Sequence, residues 1–279
     1  MKNNNGAVFA VSGRNIFAGT GYGGIFLSTD DGSSWTSVNN GVPKLDSTYY
    51  VSIKCFAVMS NSIFAGTLSD SGVLLSTNNG QSWTKTNVGI SDPYAAALGV
   101  VGTNLFLGTG AQVYLSTNYG KLWSKAQTGL PQIVDVNSFL ASGSDMFAAT
   151  EEGIFLTTND GANWSEVDSG LASKPALYLA MSGSNLLAST YDGLYNSTNN
   201  GKFWSKLNSD FHHDIGTIVV DGTNLYAGTF YGVYQSTNNG ANWSSFNVGL
   251  TDTMVYSISK SGSYLFAGVL FSGVWRCTL

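Results

Sequence analysis

The chain contains two histidines, which are adjacent to each other and to an aspartate in the segment His212-His213-Asp214. Imidazole and carboxylate groups this close together could bind a metal ion or transfer a proton near neutral pH. A structural zinc site takes four ligands, and neither another histidine nor a cysteine stands beside this cluster. We therefore interpret the cluster as a solvated loop, with a metal site and an acid–base site as the alternatives.

Carboxylates are the other groups that could do chemistry, because two of them about 5–10 Å apart can hydrolyse a glycosidic bond. No spacing in the sequence singles out one pair. The carboxylates in segments that vary between the repeats described below are Asp46, Asp70, Asp92, Asp135, Glu151, Glu152, Asp192, Asp214 and Asp252. We find no nucleophile elbow and no glycine-rich phosphate loop before a helix. We therefore expect no cofactor.

An octapeptide that occurs six times indicates which elements position these groups. The first copy, residues 28–35, reads STDDGSSW, and the tryptophans of successive copies stand 39 to 48 residues apart. We call this octapeptide the box. Its third residue is Asp or Asn, its fifth is Gly and its eighth is Trp. The third and eighth residues are Asp30 and Trp35, Asn78 and Trp83, Asn118 and Trp123, Asn159 and Trp164, Asn199 and Trp204, and Asn238 and Trp243.

A second phrase precedes each box, for example NIFAGT at 15–20 and NLYAGT at 224–229. A seventh copy, YLFAGV at 264–269, is not followed by a box. β-Branched and aromatic residues alternating between Gly and Asn turns predict four short strands in each unit. In the sixth unit we predict these strands at 215–220, 224–228, 233–237 and 243–248.

Seven such units of about 40 residues predict an all-β fold, a seven-bladed β-propeller of four-stranded antiparallel blades. We expect one domain, residues 1–279, with blades near 7–41, 52–90, 95–130, 136–171, 177–209, 215–250 and 255–279. The seventh unit lacks a fourth strand. Because residues 2–6 resemble the end of an outer strand such as 38–41, we expect them to pair with the third strand of the last blade.

The box residues are predicted to hold the blade together. Gly at the fifth position supplies the positive φ that a tight hairpin requires, and Asp or Asn at the third position can accept backbone N–H bonds across the turn. The Trp is expected to wedge into apolar space between blades. We interpret these residues as structural and not as catalytic.

The octapeptides resemble the Asp-box, or BNR, repeat, whose pattern is Ser-x-Asp-x-Gly-x-x-Trp. Proteins with this repeat include sialidases, xyloglucan hydrolases, sortilin-type receptors and photosystem assembly factors, so the resemblance implies a propeller but no single function. The combined phrases also look like those of exported Bacteroidetes-type BNR-repeat proteins, which implies a secreted or cell-surface protein of a bacterium. Residues 1–5 lack the apolar core of a signal peptide. We therefore expect a cytosolic protein or a chain that begins after a removed leader.

Two of the activities that the resemblance implies are disfavoured by the sequence. Sialidases of this fold grip a sugar carboxylate with three arginines, whereas this chain has only Arg14, predicted in a turn on the opposite face, and Arg276, near the C-terminus. Xyloglucan hydrolases place their cleft between two tandem propellers, and the repeats here account for one. We therefore reject sialidase activity.

Composition limits the partners that the chain could take. The net charge is −5 and only 10% of the residues are charged, so a nucleic acid is not an expected partner. No apolar run approaches the ~20 residues of a membrane helix, and we expect no membrane insertion. Cys55 and Cys277 stand in apolar, strand-like contexts, where we expect free buried thiols, with a disulfide or a metal pair as the alternatives.

Ligand binding is expected at the face opposite the boxes, where the variable loops gather on a rigid scaffold. This face is predicted to be rich in aromatic residues and carboxylates, which suit a sugar ring, although the same aromatic residues could simply fill the channel mouth. The candidate ligand-binding residues are Tyr22, Asp46, Tyr49, Asp70, Tyr94, Asp135, Glu151, Tyr191, Asp192, His212, His213 and Tyr231.

Three functional hypotheses follow from these residues. The leading hypothesis is a non-catalytic propeller that binds a glycan or a protein through its variable loops, because no catalytic constellation is defined. The second is a glycoside hydrolase or lyase that uses a pair of loop carboxylates. The third is a purely structural or assembly scaffold.

Overall fold

Short strands joined by turns account for the regular structure of residues 6–207 and 213–279, the part of the chain that the computed structural model describes. In the first four blades the strands are β1 Ala7–Ser12, β2 Asn15–Thr20, β3 Ile25–Ser28, β4 Thr36–Ser37, β5 Ile53–Met59, β6 Ser62–Thr67, β7 Val73–Ser76, β8 Thr84–Lys85, β9 Ala95–Val101, β10 Asn104–Thr109, β11 Val113–Ser116, β12 Ser124–Lys125, β13 Val136–Ser142, β14 Asp145–Thr150, β15 Gly153–Thr157 and β16 Ser165–Glu166. The remaining strands are β17 Ala176–Ser182, β18 Asn185–Thr190, β19 Gly193–Ser197, β20 Ser205–Lys206, β21 Thr217–Asp221, β22 Asn224–Thr229, β23 Gly232–Ser236, β24 Ser244–Ser245, β25 Val255–Ser261, β26 Tyr264–Val269 and β27 Gly273–Thr278.

The strands form seven antiparallel sheets, each built from consecutive strands. Six sheets have four strands, and within the described ranges the seventh has three, β25, β26 and β27. The first strands of the sheets, β1, β5, β9, β13, β17, β21 and β25, contact one another in this order, and β25 contacts β1. The sheets are therefore the blades of a closed ring around a central axis. The predicted fold class, a seven-bladed β-propeller, is confirmed.

The fourth strands are shorter than the sequence predicts. In the sixth blade the strand covers Ser244–Ser245, whereas we predicted 243–248. The pairing ends because the side chain of Asn247 replaces the backbone: its Oδ1 accepts a hydrogen bond of 2.7 Å from the Val233 N–H. Asn39 and Asn87 make the same bond in the first two blades.

The apolar core lies between neighbouring blades. The second strand of each blade is buried along almost its whole length, as in β2, where every residue after Asn15 is buried. Burial on both faces explains why the repeated phrase is a continuous apolar run and does not alternate with polar residues. Each blade is therefore stable only between its two neighbours in the ring.

The boxes form tight hairpins that side chains hold closed. In the second box the Ser76 hydroxyl donates to Asn78 Oδ1 at 2.9 Å, and this same oxygen accepts the Ser82 N–H at 3.0 Å. Asn79 and Gly80, at positions four and five, have φ angles of +54° and +79°. We predicted a positive φ only at the fifth position. Asn tolerates this conformation better than most residues with a side chain.

The box tryptophans contact the preceding blade. Trp164, in the fourth blade, donates its indole N–H to the Ala126 carbonyl of the third blade at 2.9 Å. Its ring meets the Phe106 ring edge-on, with 5.8 Å between the centroids. The indole of Trp243, in contrast, is half-buried and donates to the Gly240 carbonyl of its own box. The indole hydrogen bond of Trp164 joins two blades, whereas that of Trp243 stays within its own box.

The seventh blade meets the first blade through several hydrogen bonds. Arg276, on β27, donates to the Asp31 carbonyl of the first box, and the Ser257 hydroxyl donates to the Ala7 carbonyl. Gly6 donates its N–H to the Leu270 carbonyl at 2.9 Å, in the loop after β26. Residues 2–5 lie outside the described residues, so closure of the blade by this segment stays a prediction.

Replacing Trp164 by Phe should lower the free energy of unfolding by about 2 kcal/mol, because the buried Ala126 carbonyl loses its partner and the smaller ring leaves a gap. Trp243→Phe is the matched control and should cost less. Urea unfolding followed by circular dichroism measures both variants. Equal losses of unfolding free energy in the two variants would contradict the view that the hydrogen bond of Trp164 to the preceding blade stabilises the ring.

Candidate functional site

An axial cavity of about 700 Å³ opens at one face of the propeller. Residues from the first strands of all seven blades line it, together with loop residues at the rim. These loops join the second strand of a blade to its third, or the fourth strand to the next blade. We call this side the loop face, and the opposite side, which carries the boxes, the box face. The central channel is therefore a preformed concave site at the face where the variable loops gather.

β-Bulges aim five side chains into the channel. In β5, Ile53 pairs with Thr67 and Cys55 pairs with Gly66, so that the intervening residue is unpaired. The same irregularity occurs in β9, β13, β17 and β25. A bulge inserts one extra residue and redirects its side chain. The bulged residues are Lys54, Ala96, Asn137, Leu177 and Tyr256, and all of them line the cavity.

Large apolar side chains form much of the rim. Leu68, Tyr191 and Phe230 each directly follow the last threonine of a second strand, and Tyr94 precedes β9. These four side chains line the cavity, yet between 43% and 57% of their surface is exposed. Exposed aromatic faces around a cavity are typical of ligand sites.

The charged groups of the lining are Lys54, Asp135 and Asp214. The Lys54 ammonium donates to the Tyr256 hydroxyl at 2.6 Å and lies 4.8 Å from the centroid of that ring. Burial raises the pKa of Asp135, and the nearby Glu151 and Asp92 carboxylates raise it further, against the opposing effect of Lys54. The rim beside the fourth blade is therefore acidic, and its carboxylate repulsion is only partly neutralised.

Three of the candidate ligand-binding residues, Tyr94, Asp135 and Tyr191, line the channel. Glu151 stands next to them, since its carboxylate accepts a hydrogen bond of 2.9 Å from the Asn137 amide. The Asn137 amide also donates to the Ala176 carbonyl of the next blade at 3.0 Å. The structure thus brings part of the candidate set together where the third, fourth and fifth blades meet.

Other candidates lie away from the channel and make contacts within the loops. Tyr22 and Tyr49 stack on each other, with 5.6 Å between their centroids. Asp46 accepts the Tyr49 N–H at 2.8 Å, and backbone bonds of this kind lower its pKa. Asp192 accepts a hydrogen bond from Tyr195 at 2.6 Å and pairs with Lys206 at 3.0 Å. These contacts hold the loops in place.

Only His213 and Asp214 of the histidine segment belong to the described residues. His212 lies outside the described residues. The ring of His213 packs between Tyr231 and Tyr234, with centroid distances of 4.8 and 4.9 Å. Asp70 is exposed on its loop. No three histidine, cysteine or acidic side chains in the described ranges come together as metal ligands would.

Lys54 and Leu68 line the channel but were not among the candidate residues predicted from the sequence. Their signal is the register of the repeats: Lys54 is the second residue of a first strand, and Leu68 follows a second strand directly. Lining up the seven units by these strands identifies both positions in every blade.

The two cysteines are free and half-buried. Cys55 contributes to the channel wall, where burial raises the pKa of its thiol to about 12. A thiol with so high a pKa stays protonated at neutral pH. Nowhere in the described ranges does a helix reach the length and apolar character that a membrane crossing needs.

These features define a seven-bladed propeller with an axial cavity at its loop face. In sequence, residues 94–214 match the family described as the DUF6242 beta propeller domain. The match extends from the residue before β9 to the segment before β21, which covers blades three to five. No curated protein matches the chain.

Solved structures with the same fold have diverse roles. The chain is similar to the extracellular domain of a proposed one-component system, BT4673, from B. thetaiotaomicron, with 16% identity and a TM-score of 0.80 over 98% of this chain and 38% of that one. It is also similar to YCF48 bound to D1 peptide, with 13% identity and a TM-score of 0.77 over 100% and 93% of the two chains. A GH74 xyloglucanase from Xanthomonas campestris has 16% identity and a TM-score of 0.75 over 99% and 52%. At these identities the likeness shows the fold alone, and the chain spans well under half the length of the BT4673 chain.

Asp135→Asn should raise stability at neutral pH and change it little near pH 3, below the ordinary Asp pKa of about 3.9. A carboxyl whose pKa is higher in the folded protein binds more protons when folded, so its contribution to stability is lost as pH rises through the folded pKa. Thermal unfolding across this pH range measures the effect.

Asp192→Asn is the control of opposite sign. The Tyr195 hydroxyl and Lys206 lower the pKa of Asp192, so its contribution is present at neutral pH and is lost as pH falls through its folded value. This variant should therefore lose stability at neutral pH. If both variants changed stability in the same direction at neutral pH, the opposite pKa shifts of Asp135 and Asp192 would be refuted.

Proposed function

We propose that this protein is a non-catalytic binding propeller whose axial channel, at the loop face, holds a glycan. The observation that carries the proposal is the rim, where Tyr94, Tyr191 and Phe230 expose about half of their surface around a preformed cavity. Side chains of this size are buried in most proteins, and their exposure around a cavity is a feature of binding sites.

The chemistry of the channel suits a sugar. Aromatic faces stack on the C–H surface of a sugar ring, and carboxylate and amide oxygens accept hydrogen bonds from its hydroxyls. Asp135 and Asn137 supply such acceptors between Tyr94 and Tyr191 along the order of the blades. A few polar groups in a largely apolar wall are the usual means of orienting a ligand.

The protein class and location are part of the same proposal. We infer that the boxes are Asp-box repeats, because the Ser76–Asn78–Ser82 hydrogen bonds explain why the repeat needs a small hydroxyl residue and an Asn or Asp two residues later. A secreted or cell-surface location is supported by the similarity of the fold to the extracellular domain of BT4673.

A protein segment is the other occupant to consider. YCF48, which is similar to this chain along 93% of its own length, is a propeller that was observed bound to a peptide. The apolar inner wall of the channel could likewise accept an apolar side chain. The same binding experiment therefore includes peptides as well as glycans.

Tyr191→Ala and Phe230→Ala should each weaken glycan binding about tenfold or more, since truncating a central aromatic residue of an interface removes much of the binding energy. Tyr22→Ala is the control, because Tyr22 is an exposed tyrosine of the loop face that does not line the channel. Binding is first located on a glycan and peptide array and then measured by calorimetry. An equal loss in all three variants, or retention only of peptides, would refute the proposal.

A glycoside hydrolase is the second candidate, and Asp135 is the observation that favours it. Its pKa is raised by burial and by Glu151, as is usual for the general acid of a carboxylate pair. Incubating the protein with the same polysaccharides and measuring released reducing ends tests this candidate. Turnover should disappear in Asp135→Asn and persist in Asp192→Asn, and it should fall as pH rises, because the acid must be protonated. Binding without any release of reducing ends would exclude this candidate.

A further inference from the structure

Among the described residues, the channel is surrounded by strands and opens along the propeller axis. Its wall is made by the first strands of all seven blades, which contact one another in a closed ring. The lining residues reach Leu98, Phe139 and Ile258, each the fourth residue of its strand. At about 3.3 Å per residue, the cavity therefore extends roughly 10 Å below the start of the strands. A ligand that fills it has no side opening through which its chain could continue.

A polymer lying across the loop face would touch the rim alone. The rim residues Leu68, Tyr94, Tyr191 and Phe230 come from loops, whereas the bulged residues Lys54, Asn137 and Tyr256 belong to the strands beneath them. A closed wall with polar groups below the rim suits a ligand that enters with one end first.

The charge of the channel selects against anionic ligands. Asp135 and Asp214 line the cavity, Glu151 and Asp92 act on Asp135, and the single cation of the described lining, Lys54, is engaged with Tyr256. A carboxylate-bearing sugar would add a negative charge to this group and be repelled in a partly desolvated site. A neutral sugar meets no such repulsion.

We propose that the channel takes the end of a neutral polysaccharide or oligosaccharide, with the terminal sugar inside the ring and the following sugars against the rim aromatics. This inference rests on the proposed glycan binding and adds two properties to it: recognition of chain ends, and preference for uncharged chains.

The first test compares each polysaccharide before and after limited hydrolysis, at equal sugar mass. Xyloglucan, mannan and amylose are the neutral probes, and polygalacturonate is the anionic probe. End-on binding predicts that the amount bound rises in proportion to the number of chain ends, and that polygalacturonate does not bind before or after hydrolysis.

The second test blocks the channel below the rim. Ala96 is a small bulged residue of the wall, so Ala96→Phe should fill the channel and weaken binding of the hydrolysed probe at least about tenfold. The same change at Ala162, an exposed box residue that does not line the channel, should leave binding as in the unaltered protein. Thermal unfolding establishes that both variants are folded. If Ala96→Phe does not fold, the comparison of intact and hydrolysed probes decides alone.

Failure of the inference and failure of the proposed function give different results. Binding that depends on sugar mass and not on chain ends, or that survives Ala96→Phe in a folded protein, overturns end recognition but leaves glycan binding intact. Preferential binding of polygalacturonate overturns the charge preference. No binding to any polysaccharide overturns the proposed function together with the inference.

Discussion

The close approach of neighbouring blades at one position of the second strand is the constraint on which the ring depends. A Cβ atom at Gly19 would lie 2.4 Å from the Ile53 side chain of the next blade, and one at Gly108 would lie 2.4 Å from Val136. The last blade meets the first in the same way, because Gly268 has no room beside the Ala7 backbone. At these positions a first strand packs directly on the second strand of the blade before it, whereas the fourth and fifth blades carry Ala149 and Ser189 at the same place. This spacing brings the first strands together around a narrow axial channel.

In these first strands, a residue that packs between blades is directly followed by a residue that faces the channel. Ile53, Val136 and Val255, the first residues of their strands, are buried against the neighbouring blade. The next residue in each strand is bulged and faces the channel. At this position the residue type varies, and it is Lys54 in β5 and Tyr256 in β25. A bulge thus frees one side chain from packing without disturbing the buried residue beside it. The bulged position therefore sets the chemistry of the channel, and at Asn137 it also supplies a hydrogen bond to the next blade.

Much of the fold could be predicted from the sequence, because the box spacing and the repeated apolar phrase both report local backbone geometry. The number of blades and their antiparallel strands follow from that pattern. The length of the fourth strands could not be predicted from that pattern. In the sixth blade the side chain of Asn247 ends the backbone pairing, although the sequence continues with residues typical of a strand. For the site, the candidates Tyr94, Asp135 and Tyr191 line the channel, whereas Lys54, which also lines it, was not among the candidates. A bulge adds a residue without leaving a gap in the hydrophobic pattern, so its presence is visible only in the pairing register.

The rim gives the channel a direction that the backbone lacks. The residue that follows the second strand is Gly21, Leu68, Gly110, Glu151, Tyr191, Phe230 and Leu270 in blades one to seven. Gly110 leaves open space, with no atom within 4 Å of the place a Cβ would take, and it lies beside the acidic fourth blade. In blades five and six the same position is occupied by the aromatic side chains of Tyr191 and Phe230, which line the opening. If all seven blades were identical at this position, seven orientations of a ligand in the ring would be equivalent. The successive residues Gly110, Glu151, Tyr191 and Phe230 remove this equivalence. The residues at this one repeated position therefore make the blades differ at the rim, while the rest of each repeat maintains the ring.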